Sequence, residues 1–207
     1  MELVDNTQEI KAELIEAGQK LAQNGLLPAT SGNLSARFEN LVLITVSGKD
    51  KAQLTENDFL LVNHNAEAVE DADKKPSAET LLHTLIYQSY PKANYIYHVH
   101  SSASVVISKK IGANKEIRLK NYELLKAFSG MKDHNRTELV PIFRNSQNMN
   151  SLSQDIKQFF GVQDDIHAFI LEGHGFYTWG ASHKECLRHV EALDTLLKCE
   201  IELMKLS

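Results

Sequence analysis

The stretch from Asn94 to His100 (NYIYHVH) constrains the fold of this chain more than any other part of the sequence. Its tyrosine, isoleucine and valine side chains favour extended backbone, and their alternation with other residues predicts a β-strand. Successive side chains of a strand point to opposite faces, so Ile96, His98 and His100 share one face of this strand. The sequence therefore predicts two imidazoles that are directed to one point in space.

Two imidazoles in this arrangement suit a divalent metal ion, and zinc above all, because zinc binds neutral imidazole nitrogens at about 2.0–2.1 Å. The plainer interpretation is a pair of histidines on a solvated strand face. Two further features favour the metal. The strand runs directly into Ser101, so His100 lies at a strand end, where open α/β folds place their sites. A third possible ligand, His174, lies between two glycines after another apolar strand.

Two loops of small and polar residues, Thr30–Asn33 and Ser47–Lys49, resemble anion-binding cradles. Glycine lets backbone N–H groups approach a ligand closely, while serine, threonine, asparagine and lysine side chains add hydrogen-bond donors and charge. Ordinary turns use the same residue types, so each loop is also compatible with a simple connection between strands. The candidate residues in these loops are Thr30, Ser31, Gly32, Asn33, Ser47, Gly48 and Lys49.

The order of the expected elements indicates the fold class. Short strands are predicted at 34–38, 41–46 and 59–62 without a long helix between them, whereas helices and strands alternate irregularly further on. A long amphipathic helix is expected after the capping box formed by Ser182 and Glu185. This order favours an α/β domain with a mixed, largely antiparallel central sheet between layers of helices. At 207 residues and 43% hydrophobic, the chain is expected to form one domain over residues 1–207.

Charge and hydropathy patterning argue against several kinds of partner. The net charge is −5 and no run of lysine or arginine interrupts it, so we expect no nucleic-acid partner. No apolar stretch approaches about eighteen residues, so we expect no membrane span. Cys186 and Cys199 fall in one expected helix, too far apart to form a disulfide, which favours a reducing, cytoplasmic location.

Two carboxylates fall near these features. Glu79 lies in the first turn of an expected helix that Ser77 is predicted to cap, and the helix dipole alone would favour a carboxylate there. Glu123 lies in the short amphipathic segment 121–128, where the sequence by itself indicates an ordinary surface carboxylate.

Five ordered motifs together resemble the class II aldolase family, and the resemblance covers nearly the whole chain. They are Thr30-Ser-Gly-Asn33, Ser47-Gly-Lys49, Lys75-Pro-Ser-Ala-Glu-Thr80, His98-Val-His100 and Gly173-His-Gly175. Longer forms of two of them, Ser47–Lys51 and Gly173–Gly180, together with Lys75–Thr80 resemble the sugar-phosphate dehydratases within that family.

The resemblance implies a three-layer α/β/α sandwich and a homotetramer with active sites at subunit interfaces. It implies one zinc ion per subunit, held by the three histidines His98, His100 and His174. It also implies a phosphorylated ketose substrate whose phosphate rests on the small-residue loops. The residues implied for this binding are Thr30, Ser31, Gly32, Asn33, Ser47, Gly48, Lys49 and Ser77.

The resemblance leaves the division of labour between the two carboxylates open. In the sugar-phosphate aldolases, the position that matches Glu79 holds the catalytic carboxylate. In the dehydratases, the acid–base role belongs to the position that matches Glu123, and some of them carry cysteine at the position of Glu79. This chain keeps both residues, so their roles stay open. On the resemblance to the dehydratases, Glu123 is the first choice for proton transfer, and Glu79 is expected to position the substrate or the metal.

Two other functions fit the same motifs. A retro-aldol enzyme or an epimerase acting on a fuculose or ribulose phosphate would use the same metal and the same kind of intermediate. A binding module similar to the adducin head domain would share the fold, but that domain lacks the metal histidines. The presence of all three histidines in this chain favours an enzyme.

Overall fold

The computed structural model describes residues 2–69, 76–163 and 165–206, with side chains from Thr7 onward. In this part of the chain, eight strands and five α-helices are connected by short loops and 3₁₀ turns. The strands are β1 (Asn33–Phe38), β2 (Leu41–Thr45), β3 (Phe59–Val62), β4 (Tyr95–Val99), β5 (Lys115–Lys120), β6 (Thr137–Phe143), β7 (Ala168–Leu171) and β8 (Gly175–Gly180). The helices are α1 (Glu2–Gln23), α2 (Thr80–Ser89), α3 (Ser102–Ile111), α4 (Met149–Phe160) and α5 (His183–Leu206).

The eight strands form one sheet in the order β3-β2-β1-β4-β8-β7-β6-β5. All neighbouring strands are antiparallel except β6 and β7, which are parallel. Strand β4 therefore lies inside the sheet, hydrogen-bonded to β1 on one side and to β8 on the other. The mixed, largely antiparallel sheet that the element order predicts is confirmed.

Each face of the sheet carries its own hydrophobic core. Leu14 of α1, Ile107 of α3 and Leu193 of α5 pack on one face. Leu82 of α2 and Ile156 of α4 pack on the other face. Burial of these apolar side chains is the main force that holds helices against a sheet, so the two cores fix a three-layer α/β/α sandwich.

Strand β4 shows the alternation that its sequence predicts. Tyr97 and Val99 belong to the core beneath α1, α3 and α5, whereas Ile96 belongs to the core beneath α2 and α4. His98 is fully buried on the same face as Ile96. The pairing of β4 places His98 opposite Asn33 of β1 and opposite Tyr177 of β8.

The start of α2 differs from the sequence prediction. The helix begins at Thr80, and Glu79 occupies the N-cap position with backbone angles that are already helical. Ser77, the predicted N-cap, is therefore not the N-cap. Its hydroxyl accepts a hydrogen bond from the backbone N–H of Glu79, only two residues further on, at 3.3 Å. Such a bond forms a turn ahead of the helix. At α5 the Ser182 half of the predicted capping box is confirmed, since Ser182 Oγ accepts from the Glu185 N–H at 3.2 Å. The carboxylate of Glu185 accepts from the backbone N–H of Ala181, one residue ahead of Ser182.

The structure also bears on the expectations about membranes and disulfides. Among the described helices, none combines the length and the apolar character that crossing a bilayer requires. Cys186 is buried within α5, Cys199 is partly exposed on the same helix, and both are free thiols.

A buried ion pair joins β6 to the segment before β7. Glu138 is fully buried, and its carboxylate accepts hydrogen bonds from the backbone N–H and from Nδ1 of His167, both at 2.9 Å. The other ring nitrogen of His167 donates to the carbonyl of Ser129 at 2.9 Å. Burial lowers the pKa of His167, but Glu138 and the carbonyl outweigh it and leave the pKa raised. Because both ring nitrogens face acceptors, His167 is an imidazolium.

We expect His167→Gln to lower the free energy of unfolding by about 3 kcal/mol, because it leaves the buried Glu138 carboxylate without a counter-ion. Urea denaturation near pH 6 measures the loss. The matched control is His134→Gln, which changes an exposed histidine and should leave stability within about 0.5 kcal/mol of the parent. Equal stability of the two variants would contradict the ion pair.

The pH dependence follows from the raised pKa of His167. A raised pKa means that the stabilising contribution is complete below the unfolded value of about 6.5 and is lost as the pH rises through the folded value. The double variant Glu138→Gln/His167→Gln lacks both charges and provides the reference. We expect the stability difference between the parent and this variant to be largest near pH 6 and to shrink toward pH 9.

Candidate active site

Three imidazoles meet where strand β4 ends, in the interior of the sheet. His98 is the next-to-last residue of β4, His100 directly follows the strand, and His174 lies in the turn that connects β7 to β8. Their possible ligand nitrogens all lie within 4.8 Å of one another, and the Nε2 atoms of His98 and His100 are 3.0 Å apart. This spacing suits three ligands of one metal ion. The structure thus brings together the three histidines that the sequence singles out.

Two glycines allow the strands on either side of β4 to approach its end closely. A Cβ atom on Gly175 would lie 2.2 Å from the carbonyl oxygen of Val99, and one on Gly32 would lie 2.6 Å from that of His98. Gly32 also has a φ of +75°, which disfavours other residues. These close approaches explain the glycine after His174, at Gly175, and the glycine ahead of β1, at Gly32.

The ring of His98 is fixed in orientation by its surroundings. Its Nδ1–H donates to the carbonyl of Phe176 on β8 at 3.0 Å, which leaves the lone pair of Nε2 directed at the other histidines. The ring stacks on Tyr177, with centroids 4.0 Å apart. A hydrogen bond from the ring nitrogen that does not face the metal commonly sets the tautomer of a metal-binding histidine.

The electrostatics of the cluster favour neutral imidazoles. Burial, and then the charges of His100 and His174, hold the pKa of His98 well below its usual value. Burial, followed by the charges of His174 and Lys51, lowers the pKa of His100 to about 4. Metal binding requires the neutral ring, so at neutral pH no proton competes with an ion at these two side chains.

Glu79 lies directly beside the histidine cluster. Its Oε1 atom is 3.2 Å from Nε2 of His174 and 3.8 Å from Nε2 of His98. Its Oε2 atom accepts a hydrogen bond from the side-chain amide of Asn33 at 2.5 Å. The position at the start of α2 therefore does more than complement the helix dipole, because it delivers a carboxylate to the candidate metal centre.

A chain of buried hydrogen bonds holds Asn33 and Glu79 in place. Nε2–H of His83 donates to the amide oxygen of Asn33, and Nδ1 of His83 accepts from the hydroxyl of Ser35 at 2.7 Å. Burial lowers the pKa of His83 to about 3, so the ring stays neutral and keeps this tautomer. The sequence analysis missed His83 and Ser35. One signal was available, since His83 lies one helical turn after Glu79.

A cavity of about 170 Å³ opens next to the histidines, and His100 and Glu79 form part of its wall. Most of the residues that the sequence suggested for phosphate binding line it. They are Thr30, Ser31, Gly32, Asn33, Ser47, Gly48 and Ser77. Within the described residues, the buried hydroxyl of Ser31 has no hydrogen-bond partner, which leaves it free for a ligand. Lys75 of the third motif lies outside the described residues.

The two lysines of the second motif have different surroundings. Lys49 does not line the cavity, and its ammonium pairs with Asp58 at 2.9 Å, which lowers the pKa of that carboxyl to about 2. Lys51 lines the cavity and is buried, a feature that the sequence analysis did not assign to it. The spacing of the motif could not show which of the two ammonium groups turns inward.

Glu123 lies apart from the cavity within this chain. It begins the 3₁₀ turn Glu123–Ala127, which packs beside α5, and its side chain is 73% exposed. A hydrogen bond from Lys126 lowers the pKa of Glu123, and His134 lies 3.7 Å from its other oxygen. The structure therefore brings Glu79, but not Glu123, to the histidines of the same chain.

Known proteins resemble this chain over most of its length. The family profile described as Class II Aldolase and Adducin N-terminal domain matches residues 12–201. A methylthioribulose-1-phosphate dehydratase from Methylococcus capsulatus is 45% identical over 190 residues, which is 91% of each chain. One from Marinobacter nauticus is 42% identical over 193 residues, covering 93% of this chain and 92% of the relative.

Solved structures agree in fold. An L-fuculose 1-phosphate aldolase superposes with a TM-score of 0.80 at 22% identity, covering 97% of this chain and 88% of the aldolase. At that identity the likeness concerns the fold, which is the three-layer architecture described above. Together with the family profile and the close relatives, it shows that the chain belongs to the class II aldolase and adducin family.

Proposed function

We propose that this chain is a zinc-dependent dehydratase that converts 5-methylthioribulose 1-phosphate to 2,3-diketo-5-methylthiopentyl 1-phosphate in methionine salvage. The observation that carries the proposal is the contact between a three-histidine cluster and an anion-sized cavity. This arrangement occurs in a chain that is more than 40% identical to relatives named as methylthioribulose-1-phosphate dehydratases. The reaction class is that of a hydro-lyase.

The donor set of the site fits zinc. Three imidazoles form a three-ligand set that leaves a coordination position open for a substrate oxygen, which is typical of catalytic zinc. His98, His100 and His174 would hold the ion, one per subunit, and Glu79 would lie beside it. A zinc ion bound there would act as a Lewis acid that polarises the C2 carbonyl of the substrate and acidifies the C3 hydrogen.

The cavity would hold the phosphate as a fixed handle. Backbone N–H groups near Gly32 and Gly48, together with the hydroxyls of Ser31, Ser47 and Ser77, supply donors on its wall. Binding energy from a group that does not react can orient the reacting carbons, because it holds the substrate in one geometry. The phosphate would then place C2 of the ketose next to the histidines.

Glu123 is our choice for the proton transfers. Its carboxylate would remove the C3 proton, and the C4–OH bond would break with that hydroxyl leaving as water when it receives a proton. The resulting C3–C4 enol would tautomerise to the 2,3-diketone. General acid–base catalysis by one positioned carboxylate fits both transfers.

A homotetramer would reconcile this role with the position of Glu123. The residue is exposed and lies outside the cavity of its own chain, so we propose that it reaches the cavity of an adjacent subunit. Glu79, held by Asn33 and close to His174, would position the substrate or tune the metal. The free thiols of Cys186 and Cys199 agree with a reducing cytoplasm as the site of action.

One specific observation favours a second candidate. Glu79 lies 3.2 Å from His174, at the position that the resemblance assigns to the catalytic carboxylate of sugar-phosphate aldolases. An aldolase or epimerase acting on a fuculose or ribulose phosphate would use the same histidines and cavity and differ in the bond that breaks. A non-enzymatic binding module would not need three converging histidines.

Turnover of a small substrate panel tests the function. We expect the zinc-loaded protein to convert 5-methylthioribulose 1-phosphate to the diketone, which is followed by its absorbance and by mass spectrometry. L-fuculose 1-phosphate and ribulose 5-phosphate should remain unchanged, and a metal-stripped sample serves as the control. Cleavage or epimerisation of either phosphate without dehydration of the methylthio substrate would replace the proposal by the aldolase alternative.

The metal assignment is tested by the zinc content of single variants. His98→Ala should lose most of the one zinc ion per chain, because the two remaining imidazoles, even with the nearby Glu79 carboxylate, bind zinc less well than three imidazoles. His64→Ala, which changes an exposed histidine, is the matched control and should keep its zinc. Undiminished zinc in the His98 variant, measured by elemental analysis, would refute the site.

The two carboxylates are separated by their effects on kcat. Glu123→Gln keeps the shape of the side chain but cannot accept a proton, so kcat should fall by about 10²- to 10⁴-fold with zinc retained. Glu79→Gln should cost about tenfold if that residue only supports the metal and the substrate. Zinc content and oligomeric state are checked in both variants. A larger loss at Glu79 than at Glu123 would move the acid–base role to Glu79.

A further inference from the structure

Lys51 is a buried cation in the wall of the cavity. Only 3% of the residue is exposed, and its ammonium donates a hydrogen bond to the carbonyl of Thr30 at 2.6 Å. Lysine is among the residue types that are almost never fully buried without a partner. The burial of the Lys51 ammonium in the cavity wall therefore requires an explanation.

The backbone around Lys51 is rigidly placed. The 3₁₀ turn Lys51–Gln53 packs against α1 so closely that a Cβ atom on Gly18 would lie 2.3 Å from the carbonyl oxygen of Lys51. The side chain of Asp50 caps this turn by accepting from the N–H of Ala52 at 2.9 Å. The ammonium is thus carried by a turn whose backbone is fixed by its contact with α1 and by its hydrogen bond to Asp50.

The hydrogen-bond partners of the ammonium are incomplete. Its three N–H groups share one acceptor, the carbonyl of Thr30, among the residues that the structure describes. Within the same residues, no carboxylate forms a salt bridge with Lys51. A buried charge without a counter-ion is costly unless an opposite charge can bind next to it. The adjacent hydroxyl of Ser31 is buried and unpartnered as well, so both groups are available to one anion.

The charges around the cavity agree with an anion at this place. Burial lowers the pKa of Lys51, and the carboxylate of Glu79 opposes that shift. Lys51 lines the same cavity as the small-residue loops, Glu79 and His100, so its side chain belongs to the wall that the loops share with the histidine cluster. Without Lys51, the described residues that line the cavity would offer a phosphate dianion near Glu79 neutral donors and a like charge. One cation at the cavity wall offsets that repulsion.

We propose that Lys51 binds the phosphate of the substrate directly and gives the site its preference for a phosphorylated ketose. The inference rests on the proposed function only in taking the cavity as the phosphate site. It assigns the cationic role to Lys51 instead of Lys49, whose ammonium is committed to Asp58 outside the cavity. It adds a charged, hydrogen-bonding contact to the neutral donors of the loops.

The test compares the affinity of three variants for inorganic phosphate, measured by isothermal titration calorimetry on the intact, zinc-loaded protein. Lys51→Gln keeps a donor for the Thr30 carbonyl and removes the charge, whereas Lys51→Met removes both. Lys115→Gln is the matched control, because this exposed lysine lies on β5, at the far edge of the sheet from β1. Zinc content is measured in every sample.

We expect Lys51→Gln and Lys51→Met to weaken phosphate binding alike, by about tenfold to a hundredfold, the usual value of a charged hydrogen bond. Lys115→Gln should bind as the parent does. If Lys51 only braces the Thr30 carbonyl, Lys51→Gln will keep parental affinity and the inference is overturned. Lys51→Gln also carries the test should Lys51→Met fail to fold.

Lys49→Gln provides a direct comparison. If this variant loses phosphate affinity while Lys51→Gln does not, the cation at the phosphate is Lys49 and the inference fails. The binding measurement does not depend on turnover, so its failure differs from a failure of the proposed dehydration. A protein that dehydrates its substrate but binds phosphate without Lys51 would overturn the inference alone.

Discussion

The antiparallel pairing of β4 with β1 and β8 is the constraint on which the site depends. It places His98 opposite Asn33 on one side and opposite Tyr177 on the other, and it brings the turn with His174 over the end of β4. Close approach on both sides requires Gly32 and Gly175. His98 is completely buried at this point of the sheet, and burial holds its pKa well below the usual value, so the ring that faces the other two histidines is neutral.

The second support of the site comes from the helix layer that covers the His98 face of the sheet. Helix α2 contributes Glu79 at its start and His83 one turn later, and the two side chains meet at Asn33 of β1. The hydrogen bonds extend to Ser35, so the carboxylate next to the histidines is connected to the centre of the sheet. Packing of α2 against the sheet therefore positions the carboxylate as well as filling the core.

Much of this arrangement follows from the sequence, and the exceptions have physical reasons. The period of two in β4 predicts that His98 and His100 share a face, and the motif order predicts the small-residue loops. The sequence does not predict that His83 holds Asn33, because a histidine within an apolar helix is equally compatible with a core position. The sequence does not predict that Lys51 lines the cavity while Lys49 pairs with Asp58 outside it. The direction of a side chain in a loop is set by tertiary packing, here against α1. The predicted N-cap at Ser77 is wrong because its hydroxyl accepts a hydrogen bond within the turn that precedes α2.

The central claim is that one metal ion is held by three imidazoles at the end of β4. X-ray absorption at the zinc K-edge of the metal-loaded protein tests it most directly, because imidazole ligands have a characteristic multiple-scattering pattern. We expect three nitrogen ligands of this type at about 2.0–2.1 Å together with one oxygen ligand. A spectrum with thiolate ligands, with oxygen ligands alone or with fewer than three imidazoles would contradict it.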